Sequence, residues 1–191
     1  MARIAAEPIR RAAIVKATIQ EIGRAGSLDV TVAQIAARAG VSAALAHHYF
    51  GSKEAIFVAA FRHVLIVYGA EVRGALSTAD TPRERVEAIV RASFSATSFR
   101  RESVAAWLHF YALAQTLPDA RRLLAVYHRR LRSNLLHALR PLVGARAAPV
   151  AEGLGALIDG VYLRHALSPV PPDRAAATRL VLDHLSREIG A

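Results

Sequence analysis

Trp107, Phe110 and Tyr111 stand at i, i+3 and i+4, a spacing that sets three aromatic rings on one side of a helix. Asp159 and Tyr162, three apart, share a face of another helix, and Phe94 and Phe99 come from the stretch before Trp107. Aromatic walls with one carboxylate could cage a quaternary ammonium: the ring faces attract the cation and Asp159 supplies the counter-charge. The same spacing suits an ordinary core stripe, with Asp159 as a cap or an arginine partner, and spacing alone leaves both readings open. A second group lies nearer the amino terminus. Ser42, Ala43, Ala44, Ala46, His47 and His48 combine small residues with hydrogen-bonding ones. On a helix, the small residues let it sit deep in a DNA major groove against thymine methyls, while Ser and His reach base edges or phosphates. Thr31, Gln34, Tyr49 and Lys53 complete that set, with Thr31, Tyr49 and Lys53 placed to position a sugar-phosphate backbone.

Reaction chemistry is harder to find. The chain has no cysteine, which removes thiolate metal sites, disulfides and Cys nucleophiles. It has no G-x-S-x-G elbow and no H-E-x-x-H. Gly153-Leu154-Gly155 lacks the third glycine of a dinucleotide fingerprint, since Ile158 takes that place. His47 and His48 are adjacent and project in different directions from a helix, a poor metal pair. The expectation is a protein that is not an enzyme and needs neither metal nor cofactor.

Lys plus Arg is 25 against 15 for Asp plus Glu, a formal charge of +10, which favours a polyanionic partner: nucleic acid or an anionic membrane surface. A GC-rich genome, which favours arginine codons, gives the same excess. Membrane-surface binding needs a basic face opposite a bulky apolar one, and the stretch opening at Asp119 comes nearest. The longest uncharged stretch, Val104 to Pro118, is too short and too polar to span a bilayer. The amino terminus sets Glu7 among Arg3, Arg10 and Arg11 with no apolar run, so a cytoplasmic protein without a membrane partner is expected.

The elements that must carry these residues are helices. Ala, Leu, Arg and Val dominate and 53% of residues are hydrophobic, enough for a core. Pro8 suits the start of a helix running to about Arg24, with Gly26 ending it. Thr31 and Gln34 form a capping box, and Val30 with Ile35 a hydrophobic staple. Gly40 stops that short helix, Ser42 caps another that ends near Phe50, and after Gly51 Ser52 caps a long one with Glu54 in its first turn. Thr81-Pro82-Arg83-Glu84 opens a helix to about Phe99, followed by one from about Arg101 to Thr116. Asp119 opens a long helix to about Leu139, Pro149 one to about Leu167, and Asp173 the last. Arg121, Arg122, Arg129, Arg130, Arg132 and Arg140 crowd the Asp119 helix and read as a solvated face, a few of them pairing with Glu102, Asp119 or Glu152. Gly153, Gly155 and Gly160 allow close helix approach, either in a dimer face or within one chain.

Two short helices joined by Ala39-Gly40-Val41 fit a helix-turn-helix, with Gly40 supplying a positive φ and Ile35, Val41 and Leu45 as its small core. An ordinary corner between two helices fits equally well. The segment TVAQIAARAGVS, followed by HYFGSKEAIF, resembles the signature of the TetR family: Thr31, Ile35, Ala36, Ala39, Gly40, Val41, Ser42, Tyr49, Phe50, Lys53 and Glu54 all match. That resemblance implies an all-α protein with a three-helix DNA-binding head and a larger helical body that binds an effector and dimerises. The division falls at 1–53 and 54–191. AWLHFYALAQ, YHRRLRSNLL and GLGALIDGVYLRHALS further resemble the choline-responsive repressors of glycine-betaine synthesis, the BetI subfamily. This implies a ligand-responsive repressor on a pseudopalindromic operator, with Phe94, Trp107, Phe110, Tyr111, Asp159 and Tyr162 lining a choline site. A TetR-type regulator of another efflux or catabolic operon is the alternative. The sequence departs from the subfamily at Ala43-Ala44-Leu45-Ala46-His47 in the recognition helix and at Tyr162, where a Trp is common.

Overall fold

The computed structural model describes residues 2–190, and every regular element among them is a helix. In order these are α1 (Ala2–Ala25), α2 (Val32–Ala39), α3 (Ala43–Phe50), α4 (Lys53–Leu76), α5 (Pro82–Ser93), α6 (Arg101–Thr116), α7 (Pro118–Val143), α8 (Ala147–Ala166) and α9 (Arg174–Ile189). A single 3-10 turn, Gly144–Arg146, joins α7 to α8.

Caps fix most boundaries. Thr31 and Gln34 close a reciprocal capping box on α2, and Thr81 and Glu84 do the same on α5. Ser42, Ser52 and Asp173 each accept a backbone N–H in the first turn of α3, α4 and α9. Gly40 ends α2 at φ 68°, a left-handed conformation that a side chain would strain, and its N–H reaches back to the Ala36 and Ala37 carbonyls.

Four boundaries differ from expectation, one being the end of α7, which runs past Leu139 and through Pro141 to Val143. α1 runs through Pro8 instead of starting there, because a proline in a helix forfeits one backbone hydrogen bond and the remaining turns continue past it. α8 opens at Ala147, two residues before Pro149, which thus sits in the first turn where its missing N–H has no intrahelical partner to lose. α5 stops at Ser93, well short of Phe99. Side chains from elsewhere take its last carbonyls: the Tyr162 hydroxyl donates to Ser93 O (2.5 Å) and Arg174 Nε to Phe94 O (2.9 Å). The turn after it is held by Glu71, which accepts from Ser95 Oγ (2.8 Å) and Ser98 Oγ (2.7 Å).

Ile14, Ile22, Val30, Ile35, Ala36 and Ala46 form the small core where α1, α2 and α3 meet. α4 leaves this head and packs against α1, α5 and α7. By length and mean hydropathy (1.6 over its most apolar stretch) α4 could cross a bilayer. Here its buried side chains, Ile56, Phe57, Ala60, Phe61, Tyr68 and Val72, make it a strut between head and body. α5, α6, α7 and α8 enclose the main core, and α9 packs against α8, α5 and α7.

Candidate functional site

The head presents α3 as its outer element. Ala44, His47 and His48 are exposed on it, and Ser42 at its cap is exposed as well. Thr31 and Gln34 are exposed at the start of α2, Ala43 and Tyr49 are half-buried, and Lys53 lies at the first position of α4 with Nζ 5.4 Å from the centre of the Phe57 ring. Arg11 of α1 lies over both Tyr49 and Phe50, 5.1 Å from each ring centre, and ties the end of α3 to α1. Ala46 was expected on the groove face and is instead completely buried. α3 packs on α1 and α2, and its phase after the Ser42 cap puts Ala46 in the core while Leu45 is left partly exposed. An alanine is small enough for either face, so periodicity could not choose.

In the body, Trp107 is the hub of an aromatic cluster. Its ring centre lies 5.0 Å from Tyr127, 5.8 Å from Tyr111 and 5.9 Å from Tyr162. Phe94 stacks on Tyr162 at 5.9 Å, and Phe99 meets both rings edge-on. Asp159 lies at the border of this cluster. Its Oδ1 accepts from the Tyr111 hydroxyl (2.9 Å) and the Tyr127 hydroxyl (3.0 Å), and its Oδ2 faces His128 Nε2 at 3.2 Å. Five of the six expected wall residues are thus joined by ring contacts or hydrogen bonds. Phe110 joins them one ring removed: it stacks on Phe61 of α4 at 4.6 Å, and Phe61 meets Trp107 edge-on at 5.8 Å, so Phe110 faces the core between α4 and α6.

Tyr127, Tyr68 and His128 complete the cluster and were not anticipated. They lie beside residues whose charge or apolar character drew the reading elsewhere. Burial pushes the Tyr68 hydroxyl up to about 12, and burial followed by the nearby Asp159 charge pushes Tyr111 and Tyr127 well above the ordinary phenol range. All three therefore stay neutral donors at physiological pH. Tyr162 is raised by burial too, and its proton is committed to the end of α5, so its ring, not its hydroxyl, is what it offers a ligand.

Asp159 and His128 also line a groove of about 410 Å³ between α7 and α8, with Arg132, Glu152 and Gly155. The basic face of α7 is solvated as expected. Arg122 pairs with Asp119 (3.4 Å) and Arg132 with Glu152 (3.7 Å), whereas Arg121 caps the end of α6 through the Ala114 and Gln115 carbonyls.

Residues 82–190 match the family described as BetI-type transcriptional repressor, C-terminal, and residues 14–60 match the bacterial regulatory proteins of the tetR family. The HTH-type transcriptional regulator BetI of Brucella melitensis biotype 2 (strain ATCC 23457) is 52% identical over 190 residues, covering 99% of this chain and 96% of that protein. The chain belongs to the BetI-type branch of the TetR family. The BetI regulator of Rhizobium meliloti (strain 1021) is 47% identical over 192 residues, covering 100% of this chain and 95% of its own length. Among solved structures, a transcriptional regulator from Pseudomonas aeruginosa PAO1 superposes with a TM-score of 0.80 at 26% identity, over 95% of this chain and 90% of that one. A regulator from Saccharomonospora viridis, solved in complex with choline, shares the fold at a TM-score of 0.80 and 22% identity, over 92% and 95% of the two chains. This BetI-type chain is therefore an all-α transcriptional repressor with a helix-turn-helix head and a helical body.

Proposed function

We propose that residues 1–53 read a pseudopalindromic operator, that residues 54–191 bind a small quaternary ammonium of the choline class and dimerise, and that binding shifts the dimer between states of unequal DNA affinity. The observation that carries the ligand reading is the Asp159 carboxylate at the edge of the rings of Trp107, Tyr111 and Tyr127. A carboxylate beside π faces suits a cation that has no proton to donate, since attraction to the rings needs none. Each well-placed ring contributes about 1–2 kcal/mol when desolvated. The chain's charge of +10 opposes a cation only weakly, because charges beyond about 8–10 Å are screened in physiological salt. The choline complex of a regulator with this fold supports the same class of ligand.

On the DNA side, α3 enters the major groove with Ser42, Ala43, Ala44, His47 and His48. Thr31, Gln34, Tyr49 and Lys53 hold the backbone. The protein works in the cytoplasm as a regulator without catalysis, cofactor or membrane partner. Selection of bound DNA from random duplexes, with and without choline, tests the whole reading. The expected product is a two-fold site with half-sites about 34 Å apart, or a multiple, whose recovery choline changes. A single asymmetric half-site at saturation overturns the dimeric reading. Titration calorimetry with choline and its neutral isostere 3,3-dimethylbutanol isolates the cage. Tighter choline binding, lost in Trp107→Ala and Asp159→Asn, supports it, and equal binding of the two compounds overturns it.

A further inference from the structure

Asp159 is fully engaged before any ligand arrives. Oδ1 carries two tyrosine hydroxyls and Oδ2 carries His128. The two tyrosines are part of the aromatic cluster itself, whereas His128 approaches from the groove side of α7 and is half exposed, with 48% of its side chain open to solvent. A cation that takes Asp159 as counter-charge leaves the tyrosines in place and competes with the imidazole. We infer that His128 is the resident cation of the effector site, the group a quaternary ammonium displaces from Asp159 on binding. The inference rests on the choline-class reading above.

The charges facing His128 support exchange over permanent pairing. Arg129 and Arg132 flank it on α7, where the neutral Tyr127 ring also packs on it at 5.2 Å; from α8 come Asp159 and Glu152, and Glu152 is also paired with Arg132; Tyr111 of α6 is neutral and donates to Asp159. Asp159 is thus the close partner that favours the charged imidazole. The hydrogen bond that its Nε2–H donates to Asp159 raises His128 from the ordinary histidine value, against the opposing effect of burial. When a ligand neutralises Asp159, that support is withdrawn and His128 holds its proton less tightly. Binding and proton release are then one linked equilibrium. Below the His128 midpoint the ligand must compete with an imidazolium, and above it with a neutral ring.

Two variants at an exposed position make the test. Choline affinity is measured by calorimetry from pH 5.5 to 8.5 for the native chain and for His128→Gln, which keeps a donor but no charge. The proton count comes from repeating the titration at one pH in HEPES and in phosphate. The native chain is expected to bind more weakly as pH falls, by up to tenfold per pH unit below the His128 midpoint, and to release protons on binding. His128→Gln is expected to bind with a flat profile, at least as tightly as the native chain at high pH, and to release none. His128→Lys, which cannot be discharged in this range, is expected to lose choline binding throughout. A flat native profile, or the same slope in His128→Gln, overturns the exchange and leaves the cage standing. No choline binding at any pH in either protein overturns the cage, and the exchange with it.

Discussion

Glu21 shows what one buried carboxylate does in a chain rich in arginine. It lies on α1 with 4% of its side chain exposed and accepts from Arg24 at 2.8 Å on the same helix and from Arg38 on α2. The Arg38 bond crosses between helices and sets how α2 sits on α1, hence how α3 is offered outward. Hydrogen bonds from Arg24 and then Arg38 hold the Glu21 carboxyl below the usual carboxylate range, more than burial raises it. A depressed folded value means this contribution is whole above the ordinary carboxylate range and is lost as pH falls through the folded value. Glu21→Gln should therefore flatten the acid limb of a stability-against-pH curve. Arg38→Ala should cost about 1 kcal/mol by urea unfolding, a modest figure because the arginine is over a third exposed and screened. An unchanged acid limb in Glu21→Gln would remove the carboxylate from the account. Residue-level legibility was uneven for physical reasons. Trp107 and Tyr111 could be paired from their spacing, and Asp159 stood out as a charge in an apolar helix. Tyr127 and His128 precede Arg129 and Arg130, a run whose charge reads as solvent. The available clue was the four-residue repeat Tyr127, Leu131, Leu135, Leu139, all buried. Phe110 shows the limit of that method: a helix face wide enough for three rings leaves open which neighbour each ring meets.

At the scale of elements, the caps made the head legible almost residue by residue, since Thr, Ser and Gly at helix ends act locally. The early end of α5 was not legible because it depends on Tyr162, Arg174 and Glu71, all distant in sequence. Nor was the second route from body to head. α4 joins both. The structure adds α1 against α6, the helix that carries Trp107 and Tyr111. At their crossing a Cβ on Gly23 would lie 2.7 Å from the Cα of Glu102, so only glycine allows this approach. Gly23→Ala should force the helices apart, lower stability by about 1–3 kcal/mol and weaken the effect of choline on DNA binding more than choline binding itself. Native coupling in that variant, read by operator titration with and without choline, would leave α4 as the sole transmitter. α4 has its own test at its first turn. Lys53→Ala should weaken binding to all DNA sequences alike and lower the slope of log affinity against log salt by about one, the mark of a lost phosphate contact. An unchanged slope would remove Lys53 from the backbone contacts.

At the scale of the molecule, the question is what covers the outer side of α8. Gly153, Ala156, Gly160 and Leu163 recur along it at three- and four-residue steps, and Leu167, at its C-cap, continues them. Leu163 is 45% exposed, Leu167 69%, and Leu180 on the neighbouring α9 50%. Small residues followed by open leucines on two adjacent helices suit a second copy packed through a four-helix contact. Removing α9 tests this poorly, because Ala177, Val181 and Leu185 on its inner side are buried within one chain, so the truncation also strips the core. The cleaner variant is Leu163→Arg with Leu167→Arg, which charges the outer stripe alone. It should sediment as a monomer with native helicity by circular dichroism. A monomer carries one head instead of two, so it should make about half the phosphate contacts, and its salt slope on operator DNA should fall to about half the native value. The loss in affinity should be larger than that change implies, because the dimer binds its second half-site intramolecularly at high effective concentration. A species that stays dimeric with both arginines in place would move the interface off this stripe. A monomer with an undiminished slope would mean that one head makes all the DNA contacts, and the two-fold operator would go with it.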